Sequence, residues 1–323
     1  MKYVKNVIRF LERIAWAFDL LVVPLTIVSG CSFRIMKFLG IKKFPINRWI
    51  FHNIGFFPVV SHYYEPQFDF RSYSQRIRNV KGVNFNPEGQ LGILRSFRYG
   101  AELTAKPADK GSVDTYFFNN GSFESGDSEC YYSIIRKFKP RKIIEIGSGY
   151  STLIALEAID LNRREDKGYD CVMTCIEPYE MNWLKAFRVE LLSKKVEEVD
   201  LGLFETLDEG DILFIDSSHM MRPQGDVLFE IFEILPVLKS GVLIHFHDIF
   251  SPLDYPENWL KEEFRMWNEQ YLVEAFLWNN DKYRIMLALS YLSIHYVEEL
   301  CEAFPVYCRN TKRSLASLWL QKA

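Results

Sequence analysis

Short apolar runs alternate with helix-like patterns through the part of the chain that follows residue 115. The apolar runs are Ile143–Ile146, Asp170–Ile176, Asp211–Ile215, Gly241–His245 and Tyr283–Ala288. Apolar residues recur at helical spacing in Asp127–Phe138, Thr152–Asn162, Tyr179–Leu192, Asp226–Leu238 and Tyr291–Ala303. Alternation of this kind predicts an α/β fold in which helices connect the strands of a mainly parallel sheet.

Three weaker segments complete the predicted order of elements. Val196–Val199 predicts a short third strand, and Ser314–Leu320 predicts a last strand at the end of the sequence. Pro256–Asn279 carries aromatic residues at helical spacing and predicts one long helix. The sheet therefore has seven predicted strands.

The most apolar stretch is Ile14–Cys31, which has basic residues on both sides and contains Asp19 and Pro24. A membrane-spanning helix needs about 20 apolar residues, and a central Asp costs roughly 3 kcal/mol, so the sequence favours other arrangements. Two stay open: a helix on a membrane surface with anionic lipids, or an appendage packed on the domain or on a second subunit of an oligomer. Turn signals near Pro107–Gly111 end a predicted N-terminal helical and loop region, residues 1–110, before a domain of residues 111–323.

Composition and charge exclude some classes of protein. The chain is 48% hydrophobic and 25% charged, which is typical of a globular protein. Its net charge of −3 provides no general attraction for nucleic acid. The six cysteines show no metal-binding spacing and indicate a reducing compartment. We therefore expect a cytoplasmic protein, at the inner membrane surface if Ile14–Cys31 binds lipid.

A glycine turn, Gly147-Ser148-Gly149, follows the first predicted strand and precedes a helix. Such a turn brings a ligand close to the main chain and to the exposed N–H groups of a helix start. The dinucleotide fingerprint requires a third small residue where this chain has Thr152. Glu145 at the strand end would repel a pyrophosphate but attract an ammonium group. The turn thus favours a nucleoside ligand with a positive charge over a dinucleotide.

Acidic residues follow three more predicted strands. Glu177 ends the second strand, where a carboxylate can accept hydrogen bonds from both hydroxyls of a ribose. The fourth strand leads into Asp216 and His219, and the fifth into His247 and Asp248. Ligands of open α/β sheets bind at the carboxyl ends of the strands, so we expect these side chains to form one site. His245 lies within its strand and is expected to be a core histidine.

Longer motifs carry a specific resemblance. The segments F-I-D-S-S-H (214–219), G-V-L-I-H-F-H-D-I-F (241–250) and W-N-E-Q-Y (267–271), with E-x-G-x-G at 145–149, resemble the class I S-adenosylmethionine-dependent methyltransferases. Within that class the chain is similar to the macrocin O-methyltransferase-like branch, over about residues 115–323. The resemblance implies a seven-stranded Rossmann-like sheet whose last strand is antiparallel and lies between the fifth and sixth strands.

The resemblance also implies which residues bind the cofactor. Glu145, Gly147 and Gly149 would hold the methionine part, and Glu177 the ribose. The remaining predicted cofactor contacts are Ser148, Thr152, Asp216 and Asn120. The segment before the first strand can cover the cofactor in this fold, so Asn119, Asn120 and Phe123 are candidate lid residues. A polar turn that caps the following helix is an equal alternative for them.

Metal-dependent relatives place carboxylates after the fourth and fifth strands, which here are Asp216 and Asp248. Magnesium prefers oxygen ligands and usually takes one or two carboxylates, so these two are candidate ligands of a divalent cation such as Mg²⁺. His247 departs from the family's acid or amide at that position and makes the metal uncertain. Histidine suits transition metals, and His219 could join such a site.

The predicted reaction is methyl transfer from S-adenosylmethionine to an oxygen, with a small molecule or a glycan as the acceptor. Removal of the hydroxyl proton needs a base, for which His247 and His219 are the candidates, with Asp248 or Asp216 orienting them. Two rivals stay open: a nucleoside-binding or assembly protein without catalysis, and an NAD-dependent enzyme. His62, within the aromatic segment Phe57–Pro66, is a weaker candidate for contact with a substrate.

Overall fold

The computed structural model describes residues 2–59, 72–110, 115–179 and 183–323, with side chains from Ala15 onward. The chain forms two compact units, Met1–Tyr73 and Ser74–Ala323. Residues 74–110 therefore belong to the larger unit, whereas the sequence analysis assigned them to the N-terminal region. Arg78 shows why: its guanidinium forms an ion pair with Asp254 at 2.6 Å and donates a hydrogen bond to Glu274 at 2.6 Å.

In its described residues, the N-terminal unit contains two helices, α1 (Lys2–Leu39) and α2 (Pro45–Ile54), with a 3₁₀ turn at Ile41–Lys43 between them. Gly40 ends α1 at a φ of 93°, a conformation that favours glycine. Phe33 of α1 contacts Phe51 and Phe56, with ring centroids 5.4 and 5.5 Å apart. Within α1, Ala15–Leu39 is long and apolar enough to cross a membrane.

The second unit is built on one seven-stranded sheet. Its strands are β1 (Lys142–Ile146), β2 (Val172–Ile176), β3 (Glu190–Leu192), β4 (Ile212–Ile215), β5 (Leu243–Phe246), β6 (Tyr283–Ala288) and β7 (Leu318–Lys322). They lie in the order β3-β2-β1-β4-β5-β7-β6. The first five are parallel, and β7 runs antiparallel between β5 and β6. The predicted fold class and the position of the last strand are confirmed.

Helices of the second unit connect the strands or precede them. Their bounds are α3 (Pro87–Leu94), α4 (Gly100–Thr104), α5 (Asp127–Phe138), α6 (Tyr150–Glu165), α7 (Gly202–Glu205), α8 (Asp226–Phe229), α9 (Leu235–Val237), α10 (Glu257–Lys261), α11 (Glu269–Leu277), α12 (Leu289–His295) and α13 (Val297–Ala303). A π-helical turn at Glu230–Ile234 joins α8 to α9, and 3₁₀ turns lie at Leu184–Ala186, Val196–Glu198 and Tyr307–Asn310. Apolar side chains cover both faces of the sheet, as expected for buried parallel strands.

Two predictions around the third strand are wrong. In the described part of Tyr179–Leu192 the chain forms a 3₁₀ turn and then β3, whereas Val196–Glu198 is a 3₁₀ turn. The segment from Phe187 to Leu191 alternates apolar and polar residues, which is a strand pattern that the helical interpretation overlooked. β3 pairs with β2, which aligns Thr174 with Glu190, and this pairing provides hydrogen-bond partners for the backbone of β3.

The predicted long helix at Pro256–Asn279 is also wrong, because it is two helices, α10 and α11, with a loop between them. Phe264 adopts a φ of 54° in that loop, which a continuous helix does not allow. The N–H groups of Asn268 and Glu269 donate to the carbonyl of His219 at 3.1 and 3.3 Å, so α11 begins against the loop that follows β4. This break brings Trp267 and Glu269 to the edge of the sheet.

Candidate active site

The carboxyl ends of β1, β4 and β5 lie side by side. The backbone hydrogen bonds between neighbouring strands continue one residue beyond the end of each strand. The N–H of Gly147 donates to Ile176, that of Asp216 to Ile146, and that of His247 to Ile215, at 2.9 to 3.0 Å. The residues that sequence analysis placed after separate strands are therefore neighbours along one edge of the sheet.

The glycine turn after β1 approaches the chain after β4 closely. Gly147 has a φ of 78°, and a Cβ on it would lie 2.0 Å from the carbonyl oxygen of Asp216, so no other residue fits. By contrast, a Cβ on Gly149 would meet nothing within 4 Å. The turn thus leaves open space beside Gly149, at the start of α6, where a ligand can reach the main chain.

Glu145 lies beneath this turn and is fully buried. Its Oε1 accepts hydrogen bonds from the hydroxyls of Ser151 at 2.7 Å and Thr152 at 2.8 Å. Among the described residues, its Oε2 has no hydrogen-bond partner. Burial, with the nearby charges of Asp216 and Glu177, raises the pKa of Glu145 to about 8 although the two hydroxyl bonds oppose the shift. An unpaired buried oxygen at this place is suited to a positively charged ligand group.

Thr152 has a supporting position in the free protein. Its side chain is fully buried, and its hydroxyl accepts from the N–H of Gly149 at 3.0 Å while it donates to Glu145. Thr152 thus connects the turn to the carboxylate, and its side chain is not open to a ligand.

Glu177 follows β2 and turns its carboxylate toward the same glycine turn. Its Oε2 accepts from the N–H of Ser148 at 3.3 Å, and its Oε1 accepts from the N–H of Tyr179 at 2.8 Å. Each oxygen keeps a further lone pair with which it can accept from a hydroxyl. Its position beside the turn fits the predicted contact with a ribose.

Asp216, His219 and Asp248 form a compact cluster after β4 and β5. His219 Nε2 lies 3.2 Å from Asp216 Oδ1 and 3.5 Å from Asp248 Oδ2. One ligand atom from each of the three side chains lies within 4.8 Å of the others, which is close enough for a common metal ion. In the structure His219 lies between the carboxylates of the two aspartates.

Glu269 is a site residue that sequence reasoning missed. Its Oε2 lies 2.8 Å from Nδ1 of His219, and its side chain is almost fully buried. It belongs to W-N-E-Q-Y (267–271), a motif that carries the resemblance, but the sequence analysis placed this motif within one long helix. Trp267, from the same motif, places its ring 4.3 Å from the imidazole of His219. The histidine is thus held by a carboxylate on one nitrogen and by an indole on one face.

The carboxylates determine the charge of His219. Burial opposes protonation, but the hydrogen bonds to Asp216 and Glu269 and the charge of Asp248 outweigh it and raise the pKa of His219 well above its usual range. The carboxylates thus favour the imidazolium form of His219 in the free protein. The charges of His247 and His219 in turn hold the pKa of Asp216 below its ordinary value despite its burial.

The other two histidines differ in their surroundings. His247 is buried, and its Nε2 lies 3.6 Å from Asp248 Oδ1, whereas its Nδ1 has no hydrogen-bond partner among the described residues. Burial opposes protonation of His247, but the charges of Asp248, Asp216 and Asp127 raise its pKa. His245 Nε2 contacts the hydroxyl of Ser317 at 3.0 Å inside the core, as expected for a structural histidine.

The segment before α5 forms a closed turn. The side chain of Asn120 donates to the carbonyls of Phe117 and Phe123 and accepts from the N–H groups of Ser122 and Phe123. This amide is thus engaged within its own turn, which agrees with the alternative of a polar turn. The ring of Phe123 is buried 5.1 Å from that of His247, so it forms part of the floor of the site. His62 and most of the segment Phe57–Pro66 lie outside the described residues.

The candidate residues from Glu145 to Asp248 lie in a part of the chain that matches a known protein family. Residues 144–249 match the family model for a methyltransferase domain, which is about a third of the chain and spans the candidate residues from Glu145 to Asp248. An uncharacterized protein of Archaeoglobus fulgidus is 35% identical over 155 residues, covering 45% of this chain and 66% of that protein, which is less than two thirds of its length. An O-methyltransferase from Bacillus cereus, solved in complex with SAH, is similar at 12% identity and a TM-score of 0.35 over 73% of this chain and 90% of that chain. So distant a structural likeness does not bear on the reaction.

Proposed function

We propose that the methyltransferase domain transfers a methyl group from S-adenosylmethionine to a hydroxyl oxygen of a small molecule or a glycan. The observation that carries the proposal is the row of acidic side chains at the carboxyl ends of β1, β2, β4 and β5. Glu145 and Glu177 flank a glycine turn with open space beside it, and Asp216 and Asp248 lie further along the same edge. One end of the row suits a charged nucleoside, and the other suits acid–base chemistry.

The residues present fit this cofactor. The buried oxygen of Glu145 that has no partner suits the ammonium group of the methionine part, and Glu177 can accept from the ribose hydroxyls. The backbone from Gly147 to Gly149 would lie against the ligand, because Gly149 opens onto free space. When bound, S-adenosylmethionine supplies a methyl carbon that its sulfonium makes electrophilic. The protein must hold the acceptor oxygen in line with that carbon.

Deprotonation of the acceptor is assigned to the cluster after β4 and β5. His247 is our candidate base, because its Nδ1 has no partner among the described residues while Asp248 lies near its Nε2. Asp248 and Asp216 raise its pKa, so the neutral form becomes more populated, and the reaction faster, as pH rises. His219 is already bonded to Glu269 and Asp216 and is better suited to neutralise the carboxylates.

A divalent cation is the alternative means of lowering the acceptor's pKa. Asp216, His219 and Asp248 have the donor atoms and the proximity to hold one. A cation there would replace the proton of His219 as the positive charge between the two carboxylates. Magnesium seldom takes imidazole as a ligand, so the inclusion of His219 favours a transition metal at this place.

One assay separates these versions. Purified protein is incubated with methyl-labelled S-adenosylmethionine and hydroxylated acceptors, and transfer of the label is measured with and without EDTA. If His247 is the base, EDTA has no effect, and His247→Ala lowers the rate by about 10²–10⁴, the usual range for a general base. If a metal acts, EDTA abolishes transfer and an added divalent ion restores it.

His295→Ala serves as a matched control, since this histidine ends α12 and lies outside the cluster. It should retain full transfer. The proposed reaction would be contradicted by protein that binds S-adenosylmethionine but transfers no labelled methyl group to any of the hydroxylated acceptors. Full transfer by His247→Ala in the presence of EDTA would contradict both versions of the chemistry.

A further inference from the structure

The helix α1 exposes an unusually large apolar surface. The most apolar 18-residue window of its segment Ala15–Leu39 has a mean hydropathy of 1.6, and none of this window is buried in the protein. Phe18, Leu21 and Leu25 have exposed fractions of 62%, 77% and 67%. Soluble proteins rarely leave a continuous apolar surface of this length in contact with water, so this surface has a partner.

The charged residues of α1 lie on one side of the helix, which forms a polar stripe. At about 100° per residue, Asp19, Arg34 and Lys37 fall within an arc of about 80°, together with the small or polar Thr26 and Gly30. The positions of Lys5, Arg9 and Glu12 fall on the same side. From Phe18 to Leu39 the opposite arc has no charged residue and is apolar except for Ser32; it includes Phe18, Leu21, Leu25 and Val28. Apolar residues also border the stripe, so the helix is amphipathic with a narrow polar face.

Hydroxyl groups along α1 do not require water. Thr26 Oγ1 donates to the carbonyl of Val22 at 3.1 Å, and Ser32 Oγ donates to that of Val28 at 2.8 Å. Both hydroxyls are thus satisfied within the helix. This makes the side chains compatible with a surrounding of low polarity.

The helix α2 adds a second amphipathic element. Contacts of Phe51 and Phe56 with Phe33 hold it and the chain after it against α1. The apolar residues of α2 on the side away from Arg48 are exposed: Ile46, Trp49, Ile50 and Ile54. Tryptophan is enriched at membrane–water interfaces, where one side of its ring is apolar and its N–H is polar.

Charge identifies the partner. Residues 2–59 contain nine Lys or Arg and two Asp or Glu, although the net charge of the whole chain is −3. This excess of positive charge would make two such units repel each other and attracts an anionic surface. We propose that α1 and α2 bind in the plane of an anionic lipid bilayer, with the polar stripe of α1 toward the headgroups and the opposite arc in the acyl chains.

The structure favours this arrangement over a spanning helix. A spanning helix needs about 20 residues, and every stretch of that length within Ala15–Leu39 contains Asp19 or Arg34, so a spanning α1 would place a charged residue in the hydrocarbon. The 38 residues of α1 are about 57 Å long, well beyond the hydrocarbon thickness of about 30 Å. A helix lying in the interface keeps every charge of the stripe at the level of the headgroups.

Two variants of the full chain with equal charge test the proposal. Leu25→Glu with Val28→Glu puts two carboxylates on the apolar arc. Thr26→Glu with Gly30→Glu puts two on the polar stripe, and the space beside Gly30 is open. Binding is measured by co-sedimentation with vesicles of equal parts phosphatidylcholine and phosphatidylglycerol, and with vesicles of phosphatidylcholine alone.

We expect the wild-type protein to sediment with the anionic vesicles and more weakly with the neutral ones. The stripe variant should keep most of that binding, and the apolar-arc variant should bind at least tenfold more weakly than the stripe variant. Alkaline carbonate should release the wild-type protein from the vesicles. Equal thermal unfolding and equal cofactor binding of the three proteins establish that each is folded.

Three results would overturn the proposal. Wild-type protein that ignores anionic vesicles would exclude a lipid surface as the partner. Equal losses in the two variants would show that the stripe does not face the headgroups. Retention of the wild-type protein after carbonate treatment would indicate a spanning helix. None of these outcomes depends on methyl transfer, so failure here leaves the proposed function untouched.

Discussion

Replacement of Glu145 by glutamine should make the cofactor-free protein more stable at neutral pH. The folded protein raises the pKa of Glu145 to about 8 from an ordinary 4.5, because the carboxyl is fully buried beneath the glycine turn. Between these two values the folded state keeps a proton that the unfolded state has lost. Unfolding therefore becomes easier as pH rises through this window.

The size of the effect follows from the width of the window. Each pKa unit corresponds to 1.36 kcal/mol, so the ionisable carboxyl costs about 3 kcal/mol of stability at pH 7 and less than about 1 kcal/mol at pH 5. Glutamine has no such cost, and its carbonyl oxygen can still accept from Ser151 and Thr152. The gain of the variant should thus grow from pH 5 to pH 8.

Urea unfolding of wild type and Glu145→Gln at pH 5, 7 and 8 measures this difference directly. Thr152→Val is a useful comparison, because it removes one hydrogen bond to the carboxyl without removing the titratable group. A difference between wild type and Glu145→Gln that does not change with pH would refute the reasoning. Calorimetry should show that Glu145→Gln binds S-adenosylmethionine more weakly than the wild type does, because a charged partner for the ammonium group is lost.

Three further predictions concern other residues of the site. Glu177→Ala should weaken binding of S-adenosylmethionine by about 1.5–3 kcal/mol in calorimetry, the range for a hydrogen bond to a charged group, and unchanged affinity would exclude contact with the ribose. Gly147→Ala should unfold at markedly lower temperature in circular dichroism, because its Cβ would meet the carbonyl of Asp216, whereas Gly149→Ala should unfold like the wild type and lose only cofactor binding. Glu269→Gln should lower the pKa of His219, measured by NMR titration in the presence of EDTA, because one of the carboxylates that favour the imidazolium is neutralised; an unchanged pKa would mean that Glu269 does not control this charge.

The order of elements could be predicted from the sequence because most strands are short apolar runs, and β1, β2 and β4 end at a glycine or an acid. Residues after β1, β2, β4 and β5 were placed at one edge for the same reason, since parallel strands end on the same side of a sheet. The third strand was misplaced because β3 is only three residues long and the alternation from Phe187 to Leu191 was interpreted as part of a helix.

Contacts between distant segments could not be predicted in this way. The pairing of Glu269 with His219 joins residues 50 positions apart and depends on the break before α11, which no local pattern marks. Helical spacing placed Trp267 within one long helix, because apolar periodicity does not distinguish a loop that folds onto a site from a continuous helix. Likewise, the position of His219 between Asp216 and Asp248 follows from loop geometry, with His219 and Asp248 both at positive φ.

Calorimetric titration of the full chain with S-adenosylhomocysteine, alongside NAD, tests whether the glycine turn binds the proposed cofactor. We expect saturable binding of one S-adenosylhomocysteine per chain, weakened in Glu177→Ala, and no heat of binding with NAD. Binding of NAD without binding of S-adenosylhomocysteine would make the glycine turn a dinucleotide site. Binding of neither ligand by folded protein would contradict a cofactor site at the carboxyl ends of β1 and β2.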